Sequence, residues 1–290
     1  MQAGDLLSKA AVILRSLIAE GLDVNPRAEA RLLLAHCLDC TQEKLIAYPE
    51  TLISEQHLEQ FEDCLKRRCA NEPISHILGK REFWSLDFKV NQDVLDPRGD
   101  SETLIEAVLA QIPNKTDRLR ILDCGTGSGC LVLSLLHELP NARGVGLDIS
   151  TAALDVANEN AKALGLDGQV QFIQSDWFGN LDIPKPSDKF DIIISNPPYI
   201  EHDAIAKLDK QVRDFDPVLA LDGGVAGLDP YYILAQQMDD YLKPNGFSIF
   251  EFGEGQGSAI RQILSAAGYE NLTSSLDLSG VERVVTARKS

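Results

Sequence analysis

The sequence has no apolar run long enough to cross a lipid bilayer. Its 290 residues are 44% hydrophobic and 24% charged, a composition typical of globular domains, and no stretch approaches the roughly 20 apolar residues of a membrane helix. The N-terminus also has no basic segment followed by an apolar segment and a small-residue cleavage site, the pattern of a secretory signal. We therefore expect a cytoplasmic protein without a membrane partner.

Basic residues are scarce in the chain. There are 27 Lys and Arg against 44 Asp and Glu, which gives a formal net charge of −17. Proteins that hold duplex nucleic acid without reading its sequence need a cationic face. The charge balance therefore argues against direct nucleic-acid binding and suits a basic protein partner better.

Metal-ligand spacings and catalytic histidine patterns are missing too. The closest approach to a zinc motif combines Cys37 and Cys40 with Cys64 and Cys69, but the second spacing is loose and falls inside a helical pattern. The five histidines are scattered along the chain. We expect reduced, structural thiols and no bound metal.

The first 72 residues have the periodicity of helices. Asn25 before Pro26, and Ser54 further on, are typical helix starts. The first apolar stripe at helical spacing consists of Leu6, Leu7, Ala10, Ile13, Leu14, Leu17 and Ile18. We predict a small helical domain over residues 1–72 that either docks a substrate or only stabilises the fold.

Residues 73–97 change to a period of two. Trp84, Leu86, Phe88 and Val90 alternate with polar or small residues, which predicts short strands and a β-hairpin linker. A polar turn follows, and we expect its Asp100 or Ser101 to cap the next helix. This turn opens a third segment, residues 98–290.

Strands and helices alternate from about residue 119 onwards. Such alternation is typical of an α/β protein with a doubly wound parallel sheet and helices on both faces. The predicted strands span residues 120–123, 144–148, 170–174, 191–195 and 246–252, with a final pair near 269–272 and 282–287.

A glycine-rich turn follows the first of these strands, in the pattern D-x-G-x-G-x-G over residues 123–129. Glycine lets the backbone approach a ligand closely. The spacing differs from the dinucleotide pattern G-x-G-x-x-G, although nicotinamide binding stays open. Asp148 ends the next strand, where a carboxylate can accept both ribose hydroxyls of a nucleoside. Asp123 at the start of the turn suits an ammonium group and favours S-adenosylmethionine.

Residues 175–177 follow the third strand of this segment. Asp176 can accept from an adenine amino group, and Trp177 can stack on the ring. The alternative is a surface aspartate and a core tryptophan. The residues expected to bind the cofactor are Asp123, Gly125, Thr126, Gly127, Ser128, Gly129, Asp148, Asp176, Trp177 and Asn196.

A second motif follows the buried strand that ends at Ser195. It consists of the four candidate catalytic residues Asn196, Pro197, Pro198 and Tyr199. The Asn196 side-chain oxygen and the Pro197 carbonyl can accept the two hydrogens of an amide or amine and leave its lone pair free for methylation. Pro198 and Tyr199 would form the walls of the pocket. The alternative interpretation is a plain β-turn after a strand.

Taken together, these motifs resemble those of the protein-(glutamine-N5) methyltransferases of the HemK/PrmC type, which modify peptide chain release factors. The resemblance spans nearly the whole chain. Asn-Pro-Pro-Tyr alone is shared with adenine-N6 methyltransferases, so the linker and the late loop are more specific. The matching segments are residues 72–79, 81–84, 97–102, 123–129, 175–177, 196–200 and 216–224, with Gly227 and Leu228.

The resemblance implies a Rossmann-like, seven-stranded methyltransferase sheet with an antiparallel last strand, preceded by the helical domain and the hairpin. It also implies S-adenosylmethionine as methyl donor, S-adenosylhomocysteine as product, and the glutamine of the Gly-Gly-Gln loop of class 1 release factors as substrate, with an effect on translation termination. Gly99 stands where the family usually has proline, and Asp216 where many members have glutamate. An amino methyltransferase acting on nucleic acid is the alternative, and a nicotinamide dehydrogenase or an inactive binding protein is more distant.

Overall fold

The computed structural model describes residues 1–19, 24–182 and 185–289. Contacts between residues divide the chain into two units. The first comprises Met1–Lys80 with Asp209–Phe215, and the second Arg81–Leu208 with Asp216–Ser290. The finer division at residues 72 and 97 stays a prediction.

The first unit is helical, as its periodicity predicts. The Asn25 side chain accepts from the Ala28 amide at 3.2 Å and the Ser54 hydroxyl from the His57 amide at 3.3 Å, so both predicted caps are present. The helices of this unit are α1 (Ala3–Ala19), α2 (Pro26–Cys37), α3 (Gln42–Ala47), α4 (Glu55–Cys69), α5 (Ile74–Leu78) and α9 (Lys210–Arg213).

The apolar stripe of α1 is narrower than its sequence predicts. Leu14 and Leu17 are fully buried, whereas Ile13 and Ile18 are about half exposed. A helix can bury only the face that its neighbours cover. Helical spacing alone therefore predicts more buried side chains on α1 than the structure contains.

The predicted hairpin consists of β1 (Lys80–Phe83) and β2 (Leu86–Lys89). Trp84 lies in the turn and not in a strand, contrary to the period-two pattern. Trp84 and Ser85 have φ angles of +52° and +58°, the left-handed conformation that two-residue hairpin turns favour. The Trp84 amide donates to Glu102 Oε1 at 2.8 Å, and its indole nitrogen donates to Glu138 Oε1 at 3.1 Å.

The second unit contains a seven-stranded sheet in the order β5-β4-β3-β6-β7-β9-β8. The first five strands in this order are parallel, and β9 is antiparallel to both β7 and β8. The predicted antiparallel last strand is therefore confirmed. The strands are β3 (Arg120–Cys124), β4 (Arg143–Asp148), β5 (Val170–Gln174), β6 (Phe190–Ser195), β7 (Leu242–Glu251), β8 (Glu270–Leu276) and β9 (Glu282–Arg288).

Helices cover both faces of this sheet. Ile192 and Ile194 of β6 pack into one hydrophobic cluster and Ile193 into another, because successive side chains of a strand point to opposite faces. The first cluster includes α6 and α7, and the second includes α10 and α11. The helices of this unit are α6 (Glu102–Ala110), α7 (Cys130–Glu138), α8 (Thr151–Ala163), α10 (Asp229–Gln237) and α11 (Gly257–Ala266).

The start of α6 differs from its prediction. A 3₁₀ turn, Gly99–Ser101, runs directly into the helix, and the Glu102 amide bonds to the carbonyls of Gly99 and Asp100. The side chain of Ser101 makes no capping hydrogen bond. The predicted cap is wrong because the backbone of the turn already satisfies this helix start.

None of the helices in the described part of the chain combines the length and the apolar composition that crossing a membrane requires.

Candidate active site

A cavity of about 480 Å³ lies in the second unit, beside the carboxyl ends of β3, β4, β5 and β6. Its volume falls within the range of about 300–1,000 Å³ that is usual for small-molecule sites. Ligands of open α/β sheets bind at this edge. Nine of the predicted site residues line the cavity: Gly125, Thr126, Gly127, Ser128, Asp148, Asp176, Trp177, Asn196 and Pro198.

The glycine loop connects β3 to α7. The amides of Gly125 and Thr126 both donate to the Leu147 carbonyl at 2.8 Å and so fix the loop to β4. Gly125, Gly127 and Gly129 have φ angles of +72°, +53° and +79°. Only glycine adopts this conformation readily, so the three glycines determine the path of the loop around the cavity. Gly129 itself does not line the cavity but precedes α7.

Asp148 hydrogen-bonds both to the glycine loop and to the residue that precedes α8. Its Oδ2 accepts from the Gly127 amide at 2.8 Å, and its Oδ1 accepts from the Ser150 amide at 2.9 Å. Burial raises the pKa of Asp148. Each carboxylate oxygen has a further lone pair, so the side chain can still accept from a ligand hydroxyl. The predicted contact with ribose stays a prediction.

Asp123 lies beneath the loop and does not line the cavity. It is fully buried, and its Oδ2 accepts from the Thr126 hydroxyl at 2.7 Å. Burial raises the pKa of Asp123 to about 7. A cation nearby would lower that pKa again, and the predicted interaction of Asp123 with an ammonium group stays a prediction.

Asp176 and Trp177 border the cavity after β5. Asp176 is exposed, whereas Trp177 is half-buried and also packs against the hydrophobic core of the second unit. Trp177 has a φ of +50°, a strained conformation for a bulky residue. The tryptophan therefore packs against the core and also lines the cavity.

Asn196 follows β6 directly. The Ser195 hydroxyl donates to the Cys124 carbonyl at 2.6 Å and joins the ends of β6 and β3. The Asn196 side chain lines the cavity, and its Nδ2 donates to the Ser101 hydroxyl at 3.3 Å. This contact leaves Oδ1 of Asn196 available as an acceptor.

Pro197 and Tyr199 do not line the cavity, although Pro198 between them does. Pro197 is buried, and Tyr199 is partly buried with its ring close to Gly253. Burial raises the pKa of Tyr199 to about 12. The structure thus brings Asn196 and Pro198, two of the four predicted catalytic residues, to the cavity surface, and their chain neighbours Pro197 and Tyr199 are not among the lining residues.

A later loop supports the backbone of this motif. The Ile200 amide donates to the Leu221 carbonyl at 3.0 Å, and the Gly223 amide donates to the Ile200 carbonyl at 2.9 Å. The Gln256 side chain donates to the Tyr199 carbonyl at 2.9 Å. The path of residues 198–200 is therefore fixed by hydrogen bonds from distant parts of the chain.

Sequence reasoning missed Ser101 and Glu251 as neighbours of Asn196. Ser101 lines the cavity, and Glu251 is the buried last residue of β7. An acidic residue that ends an apolar strand, as Glu251 does after 247–250, is the signal that could have indicated it. Arg98 also lines the cavity, and its guanidinium lies 2.7 Å from Asp216 Oδ2.

Two domain families match the chain. Residues 6–79 match the PrmC N-terminal domain, and residues 115–264 match a methyltransferase domain. Among solved structures, a methyltransferase from Pyrococcus furiosus aligns with a TM-score of 0.51 at 15% identity, covering 79% of this chain and 99% of that one. This likeness supports the Rossmann-like fold, which confirms the predicted fold class.

Relatives are similar over nearly the full length. The release factor glutamine methyltransferase of Cereibacter sphaeroides is 41% identical over 288 residues, which cover 99% of both chains. That of Rhodospirillum rubrum is 43% identical over 91% of this chain and 79% of its own length. The resemblance predicted from the motifs is confirmed, and the chain belongs to the release factor glutamine methyltransferase family.

Proposed function

We propose that this chain transfers a methyl group from S-adenosylmethionine to N5 of the glutamine in the Gly-Gly-Gln motif of class 1 release factors, and that it thereby tunes translation termination. The main support is the cavity that brings the glycine loop together with Asn196 and Pro198. The names of the full-length relatives support the substrate. Because release factors act on ribosomes, the proposed location is the cytoplasm.

The cavity suits the proposed methyl donor. S-adenosylmethionine supplies an electrophilic methyl group on a sulfonium. The glycine loop brings its backbone to the cavity, Asp148 has free lone pairs for ribose hydroxyls, and Trp177 offers an aromatic face for adenine. The volume of about 480 Å³ is compatible with a ligand of this size.

The proposed task of the motif at 196–199 is to orient the substrate amide. An amide nitrogen is a weak nucleophile because its lone pair is delocalised into the carbonyl. Asn196 Oδ1 and the Pro197 carbonyl would accept its two hydrogens and turn the lone pair toward the methyl group. The nitrogen would gain the methyl group as the carbon–sulfur bond breaks, with the bonding pair left on the sulfur of S-adenosylhomocysteine, and would release one proton to water. Pro198 limits the space around the nitrogen.

The deciding experiment is methylation of a purified class 1 release factor, read by mass spectrometry of its Gly-Gly-Gln peptide. We expect one added methyl group on the motif glutamine and none on a release factor in which that glutamine is alanine. An unmodified glutamine, with S-adenosylmethionine bound, would contradict the proposal. Transfer of a tritiated methyl group to RNA or DNA would then identify an adenine-type substrate.

A further inference from the structure

The sheet places Glu251 next to Asn196. In the parallel pairing of β6 with β7, Ile194 pairs with Ile249 and Ser195 pairs with Phe250. Asn196 and Glu251 are the residues that follow this last pair along the two strands, so the same register places them side by side. The Tyr231 hydroxyl donates to the Glu251 carbonyl at 2.8 Å and fixes this end of β7.

The Glu251 carboxylate is buried, and one of its two oxygens has no hydrogen-bond partner among the described residues. The residue is 2% exposed, and no described residue hydrogen-bonds its Oε2. Its carboxylate interacts with the side chains of Ser101 and Asn196, and Asn196 Nδ2 also donates to Ser101 at 3.3 Å. A side-chain amide has two N–H donors, so Ser101 and Glu251 together can take both.

An asparagine amide has nearly the same shape in its two flipped orientations. When Oδ1 points toward the cavity, the side chain can accept a hydrogen bond from a substrate amide. When Nδ2 points toward the cavity, two N–H donors face each other and no hydrogen bond forms. A buried carboxylate beside Nδ2 distinguishes the two orientations, because an ionised carboxylate only accepts. Packing alone does not make this distinction.

We propose that Glu251 is a positioning residue that, together with Ser101, accepts the amide hydrogens of Asn196 and so keeps Oδ1 of Asn196 directed at the substrate amide. This inference rests on the proposed function, because it uses Asn196 as the acceptor of the substrate glutamine. Glu251 itself does not line the cavity and acts through Asn196.

The proposal has a pH signature. Burial, the largest effect, raises the pKa of Glu251 to about 7; Asp100 also raises it, whereas Ser101, Arg283 and Asn196 lower it. Below this pKa the protonated carboxyl can donate to Asn196 Oδ1 and favours the flipped amide. The rate should therefore rise with pH through about 7. The titratable and charged groups that face Glu251 are Asp100, Cys130, Tyr199, Tyr231 and Arg283.

The first test measures kcat at saturating release factor between about pH 6 and 9 for the wild-type chain and for Glu251→Gln. The glutamine can donate to Oδ1 of Asn196, so we expect kcat to fall about 10- to 100-fold at pH 8 and its rise through pH 7 to disappear. The affinity for S-adenosylmethionine and the melting temperature at pH 8 should not fall. Glu282→Gln, a half-exposed acid on β9, is the matched control and should keep the wild-type profile.

The second test asks whether Glu251 acts through Asn196. In an Asn196→Ala background, Glu251→Gln should lower kcat no further. An additional loss of the same size in that background would overturn the proposal, and so would Glu251→Gln with wild-type kcat and pH profile.

A third measurement separates this inference from the proposed function, since it needs no substrate. The side-chain amide resonances of Asn196, assigned by their loss in Asn196→Ala, should shift with pH around 7 in the wild type and stay constant in Glu251→Gln. If the chemical shifts of these resonances do not change with pH in the wild type, the positioning role of Glu251 is contradicted. A glutamine that stays unmethylated while these resonances titrate would instead contradict only the proposed function.

Discussion

At the scale of single residues, burial determines the chemistry around the cavity. The pKa values of Asp123 and Glu251 are raised to about 7 because both side chains are removed from water. Exposed carboxyl groups titrate near 4. A ligand or substrate that changes the surroundings of either carboxyl group therefore shifts its pKa and with it its charge.

Asn196 and Asp148 should fail in opposite ways when replaced. Asn196→Ala removes the proposed acceptor for the substrate amide, so kcat should fall about 10²- to 10³-fold with nearly unchanged affinity for S-adenosylmethionine. Asp148→Ala removes the proposed ribose acceptor, so that affinity should fall about 10- to 100-fold. Isothermal titration calorimetry and single-turnover rates measure the two effects.

Loss of cofactor binding in Asn196→Ala would reassign this residue to the cofactor. Unchanged cofactor affinity in Asp148→Ala would contradict the ribose contact. The role of Asp148 would then be limited to accepting hydrogen bonds from the amides of Gly127 and Ser150.

At the scale of elements, the late loop and the motif at 196–199 form one closely packed structure. A Cβ atom at Gly223 would lie 2.7 Å from the Pro198 carbonyl oxygen, and one at Gly227 would lie 2.2 Å from that of Tyr199. Such distances exclude any side chain without a backbone shift. Gly227 also has a φ of +67°, which adds strain for any other residue.

Gly227→Ala should therefore displace the Tyr199 backbone and, with it, Asn196 and Pro198. We expect kcat/KM for release factor to fall at least about tenfold and the free energy of unfolding to fall by about 1–3 kcal/mol. Methylation kinetics and urea unfolding measure these changes.

The matched control for this substitution is Gly168→Ala. A Cβ at Gly168 meets no atom within 4 Å, and its φ lies outside the left-handed region. This variant should behave as the wild type. Equal effects of the two substitutions would show that the close approach at Gly227 does not support the site.

At the scale of the whole molecule, the helical unit exposes several large apolar side chains. Half of the large hydrophobic side chains that are exposed in the described residues lie in it. Ile46, Tyr48 and Leu52 are 59%, 57% and 77% exposed and lie close together in sequence. This surface supports the proposal that residues 1–72 form a domain that docks the substrate protein.

Replacing Ile46 and Leu52 by serine should raise KM for intact release factor about tenfold or more, because each side chain contributes about 1.5–3 kcal/mol when it becomes buried. Turnover of a short Gly-Gly-Gln peptide and affinity for S-adenosylmethionine should not change. Steady-state kinetics with both substrates measures the difference.

Leu278→Ser is the control, since Leu278 is fully exposed on the second unit. A docking role for the helical unit is contradicted if the serine variants at 46 and 52 methylate intact release factor like the wild type.

Several features were determined by the sequence alone because they depend on neighbouring residues. The helix caps at Asn25 and Ser54 are contacts over three residues. The alternation of strands and helices predicted the sheet, and parallel strands necessarily place the residues after β3, β4, β5 and β6 at one edge. The order of residues along the chain was therefore enough to assign the glycine loop, Asp148, Trp177 and Asn196 to one site.

Other features were decided only by the tertiary structure, because they depend on residues far apart in the chain. The strand order puts β6 between β3 and β7, which brings Glu251 beside Asn196 across 55 positions of sequence. The Ser101 hydroxyl accepts from Asn196 and does not cap α6, because the backbone carbonyls of the preceding turn already accept from the first amide of that helix. The half-exposed side chain of Ile13 and the raised pKa values of Asp123 and Glu251 likewise depend on which parts of the chain pack together. Periodicity and motif spacing carry no information about that packing.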